Sequence, residues 1–296
     1  MKIAVFYYSQ SGQALMAARE LCSGMSADVV YKQIVPEHKY PFPWSRRQFF
    51  EVFPETRLGL PLGSIRPIDT DDVLDADLVM VFGQSWYLSP SLPLQSFFEE
   101  KALRQFLKGR KVVFVNVCRN MWLRTLDRIK QYVHSAGATL VGHIVLQDDS
   151  PNLISAVTII RWLMHGKKEA TRLLPAAGVS EKSLNGSAVF GKIIEEYLRQ
   201  PEAEGLQDKL LGAGAIRYRP SVLFLERTAY RMFGFWAAYI RRKGGFNDKL
   251  RSARLNLFYF YLIFVLFVMS PFAQLFFYMT YPFRRVARTK DRECKL

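Results

Sequence analysis

Residues 2–13 read KIAVFYYSQSGQ, and this stretch decides the fold. Lys2 to Tyr8 is an apolar, aromatic run too short for an ordinary helix, so it reads as a strand buried on both faces. Ser9 to Gly12 breaks the run, and Gln13 to Cys22 has helical composition. Strand, Ser/Gly loop and helix in that order make a β-loop-α unit. Its loop lies where a helix N-terminus offers N–H donors and a positive dipole to an anion. Hydroxyls at Ser9 and Ser11 add donors, and Gly12 permits close backbone approach to a phosphate. The plainer alternative is a strand-to-helix turn with a serine cap.

The same unit repeats outward from this start. Asp28–Ile34, Asp77–Gly83, Lys111–Val117 and Thr139–Leu146 read as further strands, with helices near Leu94–Leu107 and Leu123–Ala136. Alternating strands and helices predict an α/β fold: a doubly wound, five-stranded parallel sheet over residues 1–150. Pro36–Ile68 is long for a loop and rich in Pro, Gly and aromatics. Its segment Tyr40–Phe53 either receives the apolar part of a ligand or packs over the sheet. Beyond Pro151 the pattern becomes helical. Residues 151–214 form an extension, with helices at Leu153–Leu163 and Ser187–Arg199 and a surface linker at Pro201–Gly214. Residues 215–296 carry an amphipathic helix, Ser221–Arg242, and then 29 positions, 255–283, without a charge.

The net charge of +15 is unevenly spread. Residues 1–150 hold 17 Lys/Arg against 15 Asp/Glu, whereas residues 217–296 hold 16 against 4. A basic excess flanking an apolar run suits an anionic lipid surface and argues against nucleic acid as a partner. Cys22, Cys118 and Cys294 form no metal-ligand spacing, and three scattered cysteines fit a reducing compartment without disulfides or a structural metal. The chain opens directly on a strand, which predicts no cleavable signal peptide. His38, His134, His143 and His165 are scattered and read as solvated or core histidines.

Two more loops join the first at the carboxyl ends of strands, where open parallel sheets bind ligands. One is Gln84-Ser85-Trp86-Tyr87-Leu88-Ser89-Pro90-Ser91; the other is Cys118-Arg119-Asn120-Met121-Trp122. Both set aromatics beside polar groups. A flat isoalloxazine needs an aromatic face and donors at its pyrimidine edge. The three loops together predict FMN, held by Ser9, Gln10, Ser11, Gly12, Gln13, Ser85, Trp86, Tyr87, Leu88, Cys118, Arg119, Asn120 and Trp122. Trp86 and Trp122 have a plainer alternative as core residues capping the sheet. Arg119 and Tyr87 are the candidate catalytic residues: a guanidinium suits an anionic group, and Tyr87 borders the ring.

These residues also carry a resemblance. Ser9–Gln13 resembles the phosphate loop of flavodoxin-like proteins, with Ala14 standing where a further hydroxyl is usual. Tyr8–Gln13, Phe42-Pro43-Trp44, Trp86–Ser91 and Arg119–Trp122 together resemble the bacterial family labelled dialkylresorcinol condensing enzymes. No Cys-His-His or Cys-His-Asn constellation accompanies them. The resemblance therefore implies the later step, oxidation of a dialkyl cyclohexane-1,3-dione to the resorcinol, with a ketosynthase as a pathway partner.

The uncharged run is long enough for one bilayer span kinked at Pro271, or for a re-entrant hairpin folded at Ser270-Pro271. Six Lys/Arg at Ile240–Arg254 and six at Arg284–Leu296 favour the hairpin, with both ends on one side. The expected location is the cytoplasmic face of the inner membrane, with Ser221–Arg242 in the interface and a lipidic substrate. The rival functions are an NAD(P)H-dependent quinone or flavin reductase and a non-enzymatic electron carrier or scaffold.

Overall fold

The computed structural model describes residues 1–200, 205–280 and 296. β1 (Lys2–Tyr7) turns Ile3 and Val5 to one face and Ala4 and Phe6 to the other, and all four are buried. The chain continues through α1 (Gln13–Cys22), β2 (Asp28–Gln33), α2 (Arg46–Glu51), α3 (Phe53–Leu58), β3 (Leu78–Trp86) and β4 (Ser89–Pro90). Then come α4 (Leu92–Glu99), α5 (Lys101–Leu107), β5 (Lys111–Cys118), α6 (Leu123–Ser135) and β6 (Thr139–Gln147). Five strands pair in parallel in the order β2-β1-β3-β5-β6, while the two-residue β4 folds back antiparallel on the end of β3. Without β4 this is the flavodoxin-like strand order, whose switch point lies between β1 and β3.

Behind β6 follow α7 (Asn152–His165), α8 (Glu181–Asn185), α9 (Ala188–Arg199) and α10 (Leu206–Gly212). Residues 1–150 do not complete the sheet's core. Ile194 of α9 and Leu206 and Leu210 of α10 share a cluster with Ile3, Leu21, Met80 and Val113. Gly191 is where α9 crosses α1, because a Cβ there would collide with the Leu21 carbonyl oxygen. The expected surface linker at 201–214 is corrected from 206 onward; its first four residues lie outside the described ones. α10 covers the free edge of β6. His143 N donates to Gln207 Oε1 at 2.7 Å, and Val145 N donates to the Ala215 carbonyl at 2.9 Å.

The C-terminal part adds a third layer. α11 (Pro220–Arg241) runs beside one long helix, Lys249–Thr280. That helix comprises α12 (Ser252–Phe264), a π-helical turn (Val265–Met269) and α13 (Ser270–Thr280). The expected hairpin at Ser270-Pro271 is therefore replaced by a continuous helix. A proline inside a helix lacks one N–H and crowds the carbonyl a turn earlier; the wider π turn just before it absorbs that mismatch. The end of the uncharged run and the second basic flank lie outside the described residues. α11 is not a free interfacial helix. Its Phe233, Ala237 and Ile240 join Leu255 and Phe258 of the long helix against Phe50 and Phe53 of α2 and α3.

Candidate functional site

The loop between β1 and α1 keeps the geometry of an anion cradle. Gly12 is the N-cap of α1 at φ +85°, a left-handed conformation that side chains resist, and a Cβ there would meet nothing within 4 Å. Ser9 Oγ accepts from Leu15 N at 3.2 Å, and helix geometry leaves the Gln13 and Ala14 N–H groups without intrahelical acceptors. Ser11 is half-buried and Gly12 is exposed, so the cradle is open to solvent. Gln10 and Gln13 use their side chains otherwise. Gln10 Nε2 donates to the Pro41 carbonyl at 2.8 Å, tying the loop to the aromatic insertion. Gln13 is buried and trades two hydrogen bonds with the backbone of Val179, at 2.9 and 3.1 Å. Only the backbone of Gln13 is left for a phosphate.

β3 runs three residues past Gly83, so the expected loop is a hairpin. Ser85 faces Pro90 and Trp86 faces Ser89, with Tyr87 and Leu88 as the two-residue turn. Both turn residues have positive φ, 49° and 62°. Such turns normally use Asn and Gly; a bulky residue held there costs roughly 1–3 kcal/mol. The surroundings fix it. The Tyr87 hydroxyl donates to the Phe49 carbonyl at 2.6 Å, and its ring packs 5.0 Å from Phe53. Leu88 is buried with Phe53, Phe233 and Phe258. Tyr87 and Leu88 are thus struts between hairpin, insertion and C-terminal helices, and burial pushes the Tyr87 phenol well above its ordinary range. Leu88 is corrected from ligand wall to core. Ser85 Oγ bonds Asn116 Oδ1 (3.1 Å) and Thr125 Oγ1 (2.7 Å), beneath the hairpin.

Trp86 closes the β3 arm of the hairpin. It is half-buried and meets Tyr8, Tyr40 and Trp44 edge to face at 6.0, 5.2 and 5.6 Å. The insertion thus supplies part of an aromatic wall beside the Gly12 loop. Tyr40 and Trp44 belong to the Tyr40–Phe53 segment that the sequence leaves open between receiving a ligand and packing over the sheet.

The loop after β5 divides. Cys118 and Trp122 are core: both are buried with Leu126, Val145 and Leu223, and burial pushes the Cys118 thiol up. The plainer alternative for Trp122 holds, because its ring packs on His143 at 5.6 Å. Arg119 and Asn120 turn instead to the start of α7. Arg119 Nη1 donates to the Asn152 carbonyl (3.0 Å) and Ser155 Oγ (3.3 Å). Burial lowers its pKa to about 10, opposed by Asp148, so it stays cationic at neutral pH. Asn120 Nδ2 donates to Asn152 Oδ1 at 2.9 Å, while its buried Oδ1 has no partner. Asn152 Nδ2 in turn donates to Ser270 Oγ at 3.3 Å, where the π turn passes into α13. Asn152 and Ser155 were missed; a Ser-Pro-Asn helix start was the only signal.

The sequence matches no family model, and no curated protein matches it either. Solved structures do match. A flavoprotein in complex with FMN from Lactobacillus acidophilus NCFM is 16% identical, over 49% of this chain and 92% of that one, with a TM-score of 0.41. A flavodoxin, WrbA-like protein from Agrobacterium tumefaciens is 14% identical, over 67% and 98%, with a TM-score of 0.41. A flavone reductase is 14% identical, over 69% and 65%, with a TM-score of 0.41. The fold assignment itself rests on the strand order.

Proposed function

We propose that the chain is a membrane-associated, FMN-dependent oxidoreductase that aromatises a dialkyl cyclohexane-1,3-dione to a dialkylresorcinol. The observation that carries the proposal is the open, glycine-capped N-terminus of α1 facing solvent beside the Trp86–Tyr40–Trp44 wall, at the switch point of the sheet. The residues present fit FMN. A phosphate finds converging N–H donors, with the Gly12 Cβ position empty. The unpartnered Asn120 Oδ1 is an acceptor of the kind that a flavin ring N–H requires.

Bound FMN would supply an acceptor for a hydride. Aromatising the dione removes two electrons and two protons from the ring. The chain's own part is to bind and orient. A 1,3-dione is acidic enough to bind as its enolate, and Arg119, cationic and half-buried, is the group that holds such a charge. The apolar helix beside α7 suits the alkyl chains, and a ketosynthase is the class of enzyme that would supply the dione.

The test is anaerobic mixing of the FMN-loaded full chain with a dialkylcyclohexane-1,3-dione, with no NAD(P)H present. The flavin absorbance should fall and the resorcinol appear. Arg119→Ala should slow this roughly 10- to 100-fold while retaining FMN. Gly12→Val should lose FMN, since φ +85° resists a branched side chain. A chain that ignores FMN in calorimetry overturns the proposal. If NAD(P)H reduces the flavin quickly and the dione does not, the chain is a reductase.

A further inference from the structure

The helix Lys249–Thr280 is long and apolar enough to cross a bilayer, but its contacts hold it along the domain. Near its start Arg251, fully buried, donates to Glu51 Oε1 at 2.7 Å and Glu55 Oε1 at 2.6 Å. Past its middle, Ser270 Oγ accepts from Asn152 of α7. At its far end the Tyr278 and Ser221 hydroxyls meet at 3.2 Å, and Phe277 packs on Phe224. These tethers cover 27 residues, about 40 Å at 1.5 Å per residue, against ~30 Å of hydrocarbon.

The antiparallel partner α11 is itself fixed to the sheet domain. Glu226 accepts backbone N–H groups of Trp122, Leu123 and Arg124 at the start of α6, at 3.1, 3.3 and 2.8 Å. Arg57 of α3 donates to the Tyr230 carbonyl at 3.0 Å. A spanning orientation would drag α11, α3 and α6 into hydrocarbon with their charges. That is prohibitive, because backbone and charged groups there lose their water.

The long helix is bare over a broad arc that includes Phe267, Met269, Phe276 and Met279. Leu255, Phe258, Ser270 and Phe277 point inward and are buried. Leu257, Phe260, Phe264, Val268, Phe272 and Leu275, three or four residues apart, are 42–64% exposed. At the N-terminal end lie exposed Arg46, Arg47, Arg242, Lys243 and Lys249, with Arg46 4.9 Å over the Tyr259 ring. A continuous apolar stripe with a cationic end matches an anionic bilayer surface.

We infer that Lys249–Thr280 lies flat in a single leaflet of an anionic membrane, its Leu257–Leu275 stripe among the acyl chains, so that the protein grips one face and does not cross. This rests on the membrane association proposed above and is independent of the redox chemistry. The full chain carrying Cys294→Ser is nitroxide-labelled in turn at Phe260→Cys, Phe264→Cys, Phe272→Cys and Leu275→Cys. Each is bound to phosphatidylglycerol/phosphatidylcholine vesicles, and label depth is read by power saturation. Similar depths at all positions, about 5–10 Å below the headgroups, are expected. Depths that rise to a mid-helix maximum and fall again overturn the inference in favour of a span. Failure to sediment with vesicles overturns both the inference and the membrane association, but leaves the dione assay standing. Spin–spin broadening between copies without vesicle binding assigns the stripe to a dimer and also overturns it. Phe264→Glu with Phe272→Glu should lower vesicle affinity at least roughly tenfold and leave the unfolding midpoint unchanged; undiminished affinity counts against the inference.

Discussion

β5, rich in Val, and the long C-terminal helix, rich in Phe and Leu, are both strongly apolar, yet their surroundings are opposite. Every residue from Val112 to Cys118 is buried, whereas 11% of the most apolar stretch of Lys249–Thr280 is. β5 is flanked by two strands and covered by helices on both faces. The helix is held along one side only, at Glu51 and Glu55, Asn152 and Ser221. Hydrophobicity sets the drive to leave water; available partners decide whether protein or lipid receives the surface.

The sheet and the C-terminal helices are not separable units. They share a seam, since Phe50, Phe53 and Leu88 are buried by Phe233 and Phe258, and α6 takes its capping carboxylate from α11. Removing residues 220–296 should therefore give an aggregating chain without a cooperative thermal transition. A soluble, cooperatively folding fragment would show that the sheet stands alone.

Arg251→Ala probes the same seam at a single residue. It leaves Glu51 buried without its cation and Glu55 with only Arg241, 3.8 Å away, and should cost about 3–5 kcal/mol in urea unfolding. Replacing both acids by Gln in the same chain should recover most of that loss, because the charges and their partner then vanish together.

The smallest expected effect is one of pH. Burial raises the Glu226 carboxyl from 4.5 to about 7, with the three N–H donors pulling the other way. A carboxyl that holds its proton more tightly when folded stabilises the fold below pH 4.5 and loses that contribution as pH rises through about 7. The urea midpoint should fall between about pH 5 and about pH 8, by an amount of the order of 3 kcal/mol in stability. Glu226→Gln should flatten this dependence. A fall on the acid side instead would show the N–H bonds outweighing burial.

The sheet was legible because its strands are short apolar runs punctuated by Gly, Ser and Asp, a local signal. The Gly12 loop and Trp86 were legible for the same reason. The hairpin was not: Tyr87-Leu88 lacks the Asn or Gly that marks such a turn, and its conformation is imposed by contacts from Phe49, Phe53 and Phe258. α10 was hidden by glycines on either side of Leu206–Leu211. Gln13, Trp122 and Glu226 have partners more than 100 residues away, or neighbours from other elements, which no local pattern carries. Arg251 looked like one of six flanking cations, and only the fold buries it.

That buried arginine also sets an order of events during synthesis. Glu51 and Glu55 leave the ribosome 200 and 196 residues ahead of Arg251. Until it emerges, the insertion has neither its counter-charge nor the cover over Phe50 and Phe53. The aromatic wall around Trp44 and Trp86 is therefore the last part of the site to set. A nascent chain can complete this wall only after residue 251 has been made.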